Sequence, residues 1–191
     1  TINGTAVAVT WATSDTNTAG LLATAINANT SVNMLVEASN SVAQLNIGTP
    51  AVDSKLVVCG VEFVGVTTAI LNNQFAVGSA AASLITAINQ HPSLKAKVYA
   101  TGPNGGGNIV ICKRKNYTIK ASDQVSQSGF SAIVNPSFAA TNSMGVCCLT
   151  PGVVGNCITV TASGTGNSVS FGAGGKLVGG LNGFTSIVKA Y

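Results

Sequence analysis

The sequence predicts an α+β fold with two repeated strand-helix-strand-strand modules, a mostly antiparallel sheet, one short helix in each module and a β-rich C-terminal part. Three observations lead to this prediction. A stretch of the chain recurs 62 residues later, each copy carries a short apolar stripe at helical spacing, and the runs beside the stripes alternate as strands do. One short helix buries little by itself, so each helix is expected to lie on one face of its sheet.

The repeat centres on the tripeptide Ala-Ile-Asn. Leu22–Asn27 recurs with one difference as Leu84–Asn89. Further matches at the same offset are the pairs Val36 and Val98, Ala38 and Ala100, Asn46 and Asn108, and Ile47 and Ile109. Because the register is kept without a gap, a duplicated unit explains these matches better than the chance similarity of Ala-, Asn- and Thr-rich sequence.

The first module is predicted to occupy residues 1–50. Residues 5–11 alternate as a strand does, and Ser14–Thr18 offers several helix N-caps, with Asp15 suited to the positive end of the helix. The stripe that this helix is expected to bury, followed by the two strands expected after it, consists of Leu21, Leu22, Ala25 and Ile26, then Val32–Ala38 and Val42–Ile47.

The second module is predicted to occupy residues 51–191, with Ser79 as the helix cap and Leu84, Ile85 and Ile88 as the buried stripe. Between about residues 121 and 150, an excess of Ser, Gln, Asn, Gly and Pro predicts an inserted surface loop. The strands expected around helix and loop are Lys55–Cys59, Val61–Val66, Asn72–Val77, Lys97–Thr101, Asn108–Cys112, Cys157–Ala162, Ser168–Phe171 and Lys176–Val178.

Residues that support catalysis are scarce. The chain has five acidic residues, no two of them within eight positions of one another, and a single histidine, His91, which precedes Pro92 and is expected to close a helix. Phosphate-loop, nucleophile-elbow and zinc-protease motifs are missing, and residues 105–107, three glycines, are expected to form a turn before a strand. We therefore expect no enzyme, no cofactor and no metal site.

The charge content points to a surface that is covered by other subunits. Charged residues make up 7% of the chain, whereas soluble domains carry roughly 25%. Although 46% of the residues are hydrophobic, no apolar run approaches the roughly 18 residues of a membrane helix, so we expect no membrane partner. Contacts with copies of the chain or with other subunits would explain both the low content of charged residues and the high content of hydrophobic residues.

The cysteines have two interpretations. Their number is odd, and Cys147 and Cys148 are adjacent, a spacing at which a bridge between the two is strained. Cys147, Cys148 or Cys157 is a candidate for a disulfide between subunits. The alternative is that they are small buried apolar side chains.

The charge is unevenly distributed. Residues 1–52 hold two acidic residues and no basic one, whereas residues 95–120 hold six basic residues and no acidic one. Lys113, Arg114 and Lys115 form a candidate contact patch, either solvated at a strand end or paired with an acidic neighbouring subunit. A phosphate backbone is the third option, but few aromatic residues accompany the basic ones, so nucleic acid is not the expected partner.

Several phrases of the sequence, taken in order, resemble a known module. Thr1–Val9, Asp15-Thr16, Leu21–Asn27 and Val36–Ala38 are similar to the small "IN" module of flagellar hook-associated proteins and of tail sheath and other virion proteins of tailed bacteriophages. The phrases that resemble the phage version are Gly60–Val64, Asn73–Gly78, Ser83–Asn89, Gly155–Ile158 and Lys176–Gly180. The resemblance covers most of the chain outside residues 121–150, and it implies insertions or outward-facing domains on assembling subunits and no catalytic residues.

The leading hypothesis is therefore a non-enzymatic structural subunit of a bacteriophage virion, which assembles in many copies on the tail or the capsid surface. Its expected partners are copies of itself and other virion proteins, and its expected location is the virion, assembled in the host cytoplasm and then extracellular. The alternatives are a bacterial flagellar or secreted filament component, and a carbohydrate-binding adhesin on a fibre that presents the loop at 121–150 to a host surface glycan.

Overall fold

The computed structural model describes residues 1–102, 108–130, 132–149, 158–161, 168–170 and 185–189. Contacts between residues divide the chain into two compact units, the first formed by Thr1–Val42 with Ala140–Tyr191 and the second by Ala43–Ala139. The described elements, in chain order, are α1 (Asp15–Ala28), β1 (Val36–Asn46), β2 (Lys55–Val58), β3 (Val61–Val66), β4 (Gln74–Ala76), a 3₁₀ turn (Val77–Ser79), α2 (Ala80–Gln90), β5 (Val98–Thr101), β6 (Asn108–Lys113), β7 (Val125–Ser128), β8 (Ala132–Cys148), β9 (Ser168–Ser170) and β10 (Thr185–Lys189).

The predicted fold class is confirmed, because the described elements form a strand-rich α+β fold with mostly antiparallel pairing. The strand order in the first unit is β1-β8-β10-β9. In the second unit one sheet has the order β5-β6-β1 and the other has the order β4-β3-β2-β7, in which β4 pairs with β3 in parallel. Strand β1 begins in the first unit and ends in the second, and β8 does the reverse.

In the first unit, α1 begins at Ser14, whose Oγ accepts a hydrogen bond from the Asn17 amide at 3.2 Å. The helix buries Ala19, Ala23 and Ile26. The residues that pack together in this core include Ala23 and Ile26 of α1, Val36 and Ala38 of β1, and Met144, Val146 and Cys148 of β8. The core of this unit is therefore built between one helix and one sheet face.

The stripe predicted for α1 is wrong in part, since Leu21 is 48% exposed and the buried face is Ala19, Ala23 and Ile26. Small residues let this helix approach β1 closely. A Cβ atom on Gly20 would stand 3.2 Å from Nδ2 of Asn40, an amide that donates to the carbonyl of Thr16. Of the larger apolar side chains of α1, Ile26 is buried, Leu22 packs against the core while partly exposed, and Leu21 lies in solvent.

In the second unit, β2 and β3 form a hairpin closed by Cys59 and Gly60, which have φ values of 49° and 83°. Two consecutive positive φ values belong to the two-residue turn whose twist matches that of paired strands. Helix α2 buries Ala80, Leu84, Ile85 and Ile88, so the stripe predicted for this helix is confirmed. Other large side chains of this unit that are fully buried include Leu56, Phe63, Phe75, Leu94, Ile109 and Ile111.

The two copies of the repeat share a side-chain contact that we name the asparagine clamp. In the first copy, Nδ2 of Asn27 donates to the carbonyl of Ala38 at 2.8 Å, and the Ala38 amide donates to Oδ1 of Asn27 at 2.9 Å. In the second copy, Asn89 makes the same two bonds with Ala100, at 2.9 and 2.7 Å. Each asparagine therefore pairs with its strand as a neighbouring strand would.

Both copies also end their helix in the same way. The amide of Asn29 donates to the carbonyls of Ala25 and Ile26, and Oδ1 of Asn29 accepts from the amide of Ser31 at 3.0 Å. The residue 62 positions later is His91, which closes α2, as expected for a polar residue before Pro92. Its Nδ1 accepts from the amide of Ser93 at 3.3 Å, the same bond with an imidazole acceptor.

Two strand predictions for the first module are wrong. Residues 5–11 form no strand, although Thr5, Val7 and Val9 are half-buried in alternation, because beyond the bridge from Ile2 to Thr5 no described strand pairs with them. The turn expected between Val32–Ala38 and Val42–Ile47 is also absent, since β1 runs through it without a break. Alternating side chains indicate partial burial, whereas a strand also needs a backbone partner.

The inserted loop predicted at about 121–150 is wrong as well, because these residues contain all of β7 and β8. The buried side chains of β8 include Met144 and Val146, whereas the hydroxyl and small residues earlier in the strand, such as Ser137 and Thr141, are typical of a loop. The module boundary predicted at residue 50 separates the two copies of the repeat in the sequence. The compact units are defined by contacts between residues, and they divide the chain after Val42 and after Ala139. The predicted strand Lys176–Val178 and the glycine turn at 105–107 lie outside the described residues.

Candidate functional site

The hairpin of β5 and β6 brings the basic residues of three short segments together in the second unit. Val98 pairs with Lys113, and the amide of Arg114 donates to the carbonyl of Lys97 at 2.9 Å, so residues 95–97 lie beside residues 113–115. The segment after them turns back to Asp123. We name the basic cluster as Lys95, Lys97, Lys113, Arg114, Lys115 and Lys120.

Asp123 is the acidic residue that organises the basic cluster. Its side chain is only 4% exposed and lies 3.8 Å from Nζ of Lys97. Its Oδ2 accepts from the hydroxyl of Tyr117 at 2.7 Å and from the amide of Lys120 at 2.9 Å. Burial by itself would raise the pKa of Asp123, but these hydrogen bonds and the charges of Lys97 and Lys120 outweigh it and hold the pKa below its ordinary value.

Tyrosine rings and carbonyl groups hold the other basic side chains. Lys113 donates from Nζ to the carbonyl of Tyr117 at 2.9 Å, and Nζ of Lys97 lies 5.8 Å from the centre of the Tyr117 ring. Arg114 donates from Nε to the carbonyl of Lys95 at 3.1 Å, and its guanidinium lies 4.9 Å from the centre of the Tyr99 ring. These carbonyl and ring contacts therefore position Lys113, Arg114 and Lys97 at the end of the hairpin.

The nucleophile candidates in this region are held in their protonated forms. The hydrogen bond to Asp123, together with burial and the Asp123 charge, raises the pKa of Tyr117 to about 12. Burial and the Asp123 charge raise the pKa of the Cys59 thiol to about 11, against the opposing charge of Lys97. Since the thiolate is the reactive form of cysteine, this geometry suits recognition of charge better than nucleophilic chemistry.

A second candidate site is an uncharged groove of about 450 Å³ in the second unit, between α2 and the turn that precedes β4. Ile70 and Leu71 border it and are 83% and 58% exposed. The helix contributes Ala82, Thr86 and Gln90, and the described residues that line the groove are all uncharged.

The apolar turn beside the groove is fixed in place by one glutamine. Oε1 of Gln74 accepts from the amides of Ile70 and Leu71 at 3.1 and 3.2 Å, and the Gln74 amide donates to the carbonyl of Leu71 at 3.1 Å. Two large aliphatic side chains are thus held in solvent by a hydrogen-bonded turn. We name the turn and the exposed face of α2 together the apolar groove.

The burial of the described cysteines bears on the disulfide predicted between subunits. Cys147 and Cys148 are 2% and 4% exposed within β8, and Cys59 and Cys112 are also buried. Cys157 lies outside the described residues. A bridge between subunits through Cys147 or Cys148 would require β8 to open, so the placement of these two sulfurs favours the alternative, small buried apolar side chains.

The sequence indicated the basic cluster but missed Asp123 and the apolar groove. Asp123 lay inside the predicted loop, and its partner Lys97 is 26 residues away in the chain. One feature of the sequence could have indicated the groove. The adjacent pair Ile70-Leu71 lies between threonines and asparagines, at a turn, where polar residues are usual. An apolar pair on a turn is typical of a contact surface.

Among the described residues, no three His, Cys, Asp or Glu side chains are grouped so that they could hold a metal ion. Neither α1 nor α2 is long and apolar enough to cross a membrane. A scan against protein families gave no match, and a search of curated proteins found no similar sequence.

Proposed function

We propose that this chain is a non-enzymatic structural subunit that associates with copies of itself through the apolar groove, and that it serves on the tail or capsid surface of a bacteriophage virion. The observation that carries the self-association is the groove itself. It joins two exposed aliphatic side chains, Ile70 and Leu71, to a helix face without charge.

Apolar side chains that stay in water are unfavourable, and this favours a partner that covers the exposed turn. Burying one aliphatic side chain contributes about 1.5–3 kcal/mol, so a partner that covers Ile70 and Leu71 gains from both. Because the groove is uncharged, covering it requires no charge to lose its water, whereas its polar side chains, such as Asn72 and Gln90, must find hydrogen-bond partners in the contact. The apolar turn and the helix face lie side by side, so the turn of one copy can enter the groove of another about a two-fold axis.

The charge distribution favours a copy of this chain as the occupant of the groove. The chain carries a net charge of +4, and its described basic residues other than Lys55 and Lys189 belong to the basic cluster. A contact between two uncharged grooves brings together two surfaces that do not repel each other. The assignment to a virion rests on the resemblance of the repeated phrases, above all Leu22–Asn27 and Leu84–Asn89, to the "IN" module.

Sedimentation velocity over a range of concentrations, with negative-stain electron microscopy of the same samples, tests this proposal. We expect the unaltered chain to form dimers or larger regular assemblies and Leu71→Lys to shift it to the monomer. Met34→Lys is the matched control, since Met34 is 78% exposed but belongs to the first unit and does not line the groove. A monomer at every concentration, equal loss of association in both variants, or turnover of a glycan or peptide substrate would contradict the proposal.

A further inference from the structure

We infer that the exposed ring of Trp11 binds a neutral saccharide, with one sugar ring stacked on the indole and its hydroxyl groups bonded to polar side chains at the start of α1. Trp11 is 63% exposed. A large apolar plane that stays in water is unfavourable, so covering the indole with a ligand is favourable. The inference goes beyond the proposed function, because the ring belongs to the first unit and the apolar groove belongs to the second.

Polar side chains lie beside the ring and fix its edge. Nε1 of Trp11 donates to Oδ1 of Asp15 at 3.4 Å. Asp15 stands between Thr13 and Asn17 in the chain, and Nδ2 of Asn17 donates to Oγ1 of Thr13 at 2.7 Å. Thr13 and Asn17 are both exposed. We name Trp11, Thr13, Asp15 and Asn17 together the tryptophan platform, which combines one apolar plane with hydroxyl, amide and carboxylate groups.

This combination matches the two kinds of surface on a sugar ring. A pyranose presents C–H groups on a face, which can lie on the indole, and hydroxyl groups around its edge, each of which donates and accepts hydrogen bonds. The Asp15 carboxylate accepts, and the Asn17 amide and the Thr13 hydroxyl both donate and accept. The bond between Asn17 and Thr13 uses one amide N–H and one hydroxyl lone pair, so both groups keep capacity for a ligand.

Three other ligands fit the tryptophan platform less well. Bases also stack on tryptophan, but strand binding needs basic side chains along the backbone, and residues 1–52 contain none. Ammonium groups are recognised by cages of several rings, whereas Trp11 is the only aromatic residue among residues 1–42. An apolar protein surface would remove water from the polar groups of the platform without replacing their hydrogen bonds.

The intrinsic fluorescence of the full chain tests the inference, because the chain has a single tryptophan and its emission reports on the platform alone. The probes are maltotetraose, cellotetraose and chitotetraose. We expect a saturable change in emission with at least one of them, at a dissociation constant of about 1–10 mM. Sorbitol, which has hydroxyl groups but no ring face, should give no saturable change.

Variants are compared by saturation-transfer NMR, which detects the saccharide and does not need the tryptophan, with circular dichroism as the check of folding. Trp11→Ala should lose the signal, and Trp11→Phe, which keeps a smaller ring, should retain it at an affinity several-fold lower. Asn17→Ala should weaken binding a few-fold. Met34→Ala is the matched control, since Met34 is also exposed in the first unit but is not part of the platform, and it should bind like the unaltered chain.

Four results would each overturn the inference. They are no saturable change with any of the three saccharides up to about 20 mM, equal NMR signals from Trp11→Ala and the unaltered chain, equal affinities of Asn17→Ala and Met34→Ala, and tighter binding of tetramethylammonium or of a thymidine oligonucleotide than of the best saccharide. The proposed function is tested separately, because sedimentation is measured without saccharide. A chain that self-associates but ignores the saccharides defeats this inference alone, and a monomer that binds them defeats the self-association alone.

Discussion

The two copies of the repeat, residues 15–38 and 77–100, have the same hydrogen bonds and different cores. Both contain an asparagine clamp, and both close the helix with a side-chain acceptor two residues before a serine amide. Yet Leu22 of the first copy is half-buried, whereas Leu84, its counterpart, is completely buried. The two copies of the repeat therefore share their polar contacts, whereas the burial of their apolar side chains differs with the surroundings of each copy.

The copies also differ where the strand begins. The carbonyl of Leu35 accepts from the amide of Leu149 at 2.9 Å, and the carbonyl of its counterpart Lys97 accepts from the amide of Arg114 at the same distance. One backbone bond thus joins two leucines in the first copy and two basic residues in the second. The same corner is apolar in one unit and carries the basic cluster in the other.

The largest expected difference between the copies lies in the helix core. Leu84→Ala should lower the free energy of unfolding by about 3 kcal/mol, because it leaves a cavity around a completely buried side chain. Leu22→Ala, the same change at the half-buried counterpart, should cost about 1 kcal/mol. Urea unfolding followed by circular dichroism measures both. Equal losses would show that the two helices pack alike.

The asparagine clamps should be closely similar in strength. Asn27→Ala and Asn89→Ala each remove the two hydrogen bonds that the asparagine side chain makes with the backbone of a buried alanine, so each should cost about 2 kcal/mol in the same unfolding experiment.

Asn89→Asp sharpens this test because it keeps the acceptor for the Ala100 amide but places a carboxylate against the Ala100 carbonyl. It should destabilise the fold more than Asn89→Ala does at neutral pH. A loss below about 0.5 kcal/mol for either alanine variant would show that the clamp does not define the unit.

The basic corner of the second copy should depend on pH in a way that the apolar corner does not. Asp123→Asn should cost about 1–2 kcal/mol at neutral pH by weakening the bonds to Tyr117 and Lys97. The pKa of Asp123 is lower in the folded chain than in the unfolded chain, so its contribution is present above the ordinary aspartate pKa of about 3.9 and is lost as the pH falls through the folded value.

The difference in unfolding free energy between the unaltered chain and Asp123→Asn should therefore shrink from neutral pH towards pH 3. At the alkaline end the pKa of Tyr117 is raised to about 12, so its contribution is present below about pH 10 and is lost as the pH rises towards 12. Asp53→Asn is the control in the same unit. A difference that stays constant from neutral to acid pH would contradict the role of Asp123.

The smallest expected effect lies at the helix ends. His91→Asn installs the residue of the first copy, which accepts the same amide bond, so the free energy of unfolding should change by less than about 0.5 kcal/mol. His91→Ala removes the acceptor for Ser93 and the edge contact with Phe63, whose ring centre lies 5.8 Å away, and should cost about 1 kcal/mol. Equal results for the two variants would show that the acceptor has no role.

The sequence predicted what depends on local chemistry and missed what depends on distant partners. The Ser14 cap, the α2 stripe and the limits of β3 follow from neighbours in the chain and are confirmed. Strand β8 was missed because hydroxyl and small residues obscure its alternation, and only pairing with β1 and β10 defines it. Asp123 is identified by Lys97 and Tyr117, which no local pattern connects to it.

The most direct test of self-association through the apolar groove places one charge at equivalent sites of the two copies. Thr86→Glu alters the groove, and Thr24→Glu alters the exposed counterpart on α1, 62 residues earlier. Sedimentation velocity should show Thr86→Glu as a monomer and Thr24→Glu assembled like the unaltered chain. If Thr86→Glu assembles as well as the unaltered chain, the groove is not the contact between copies.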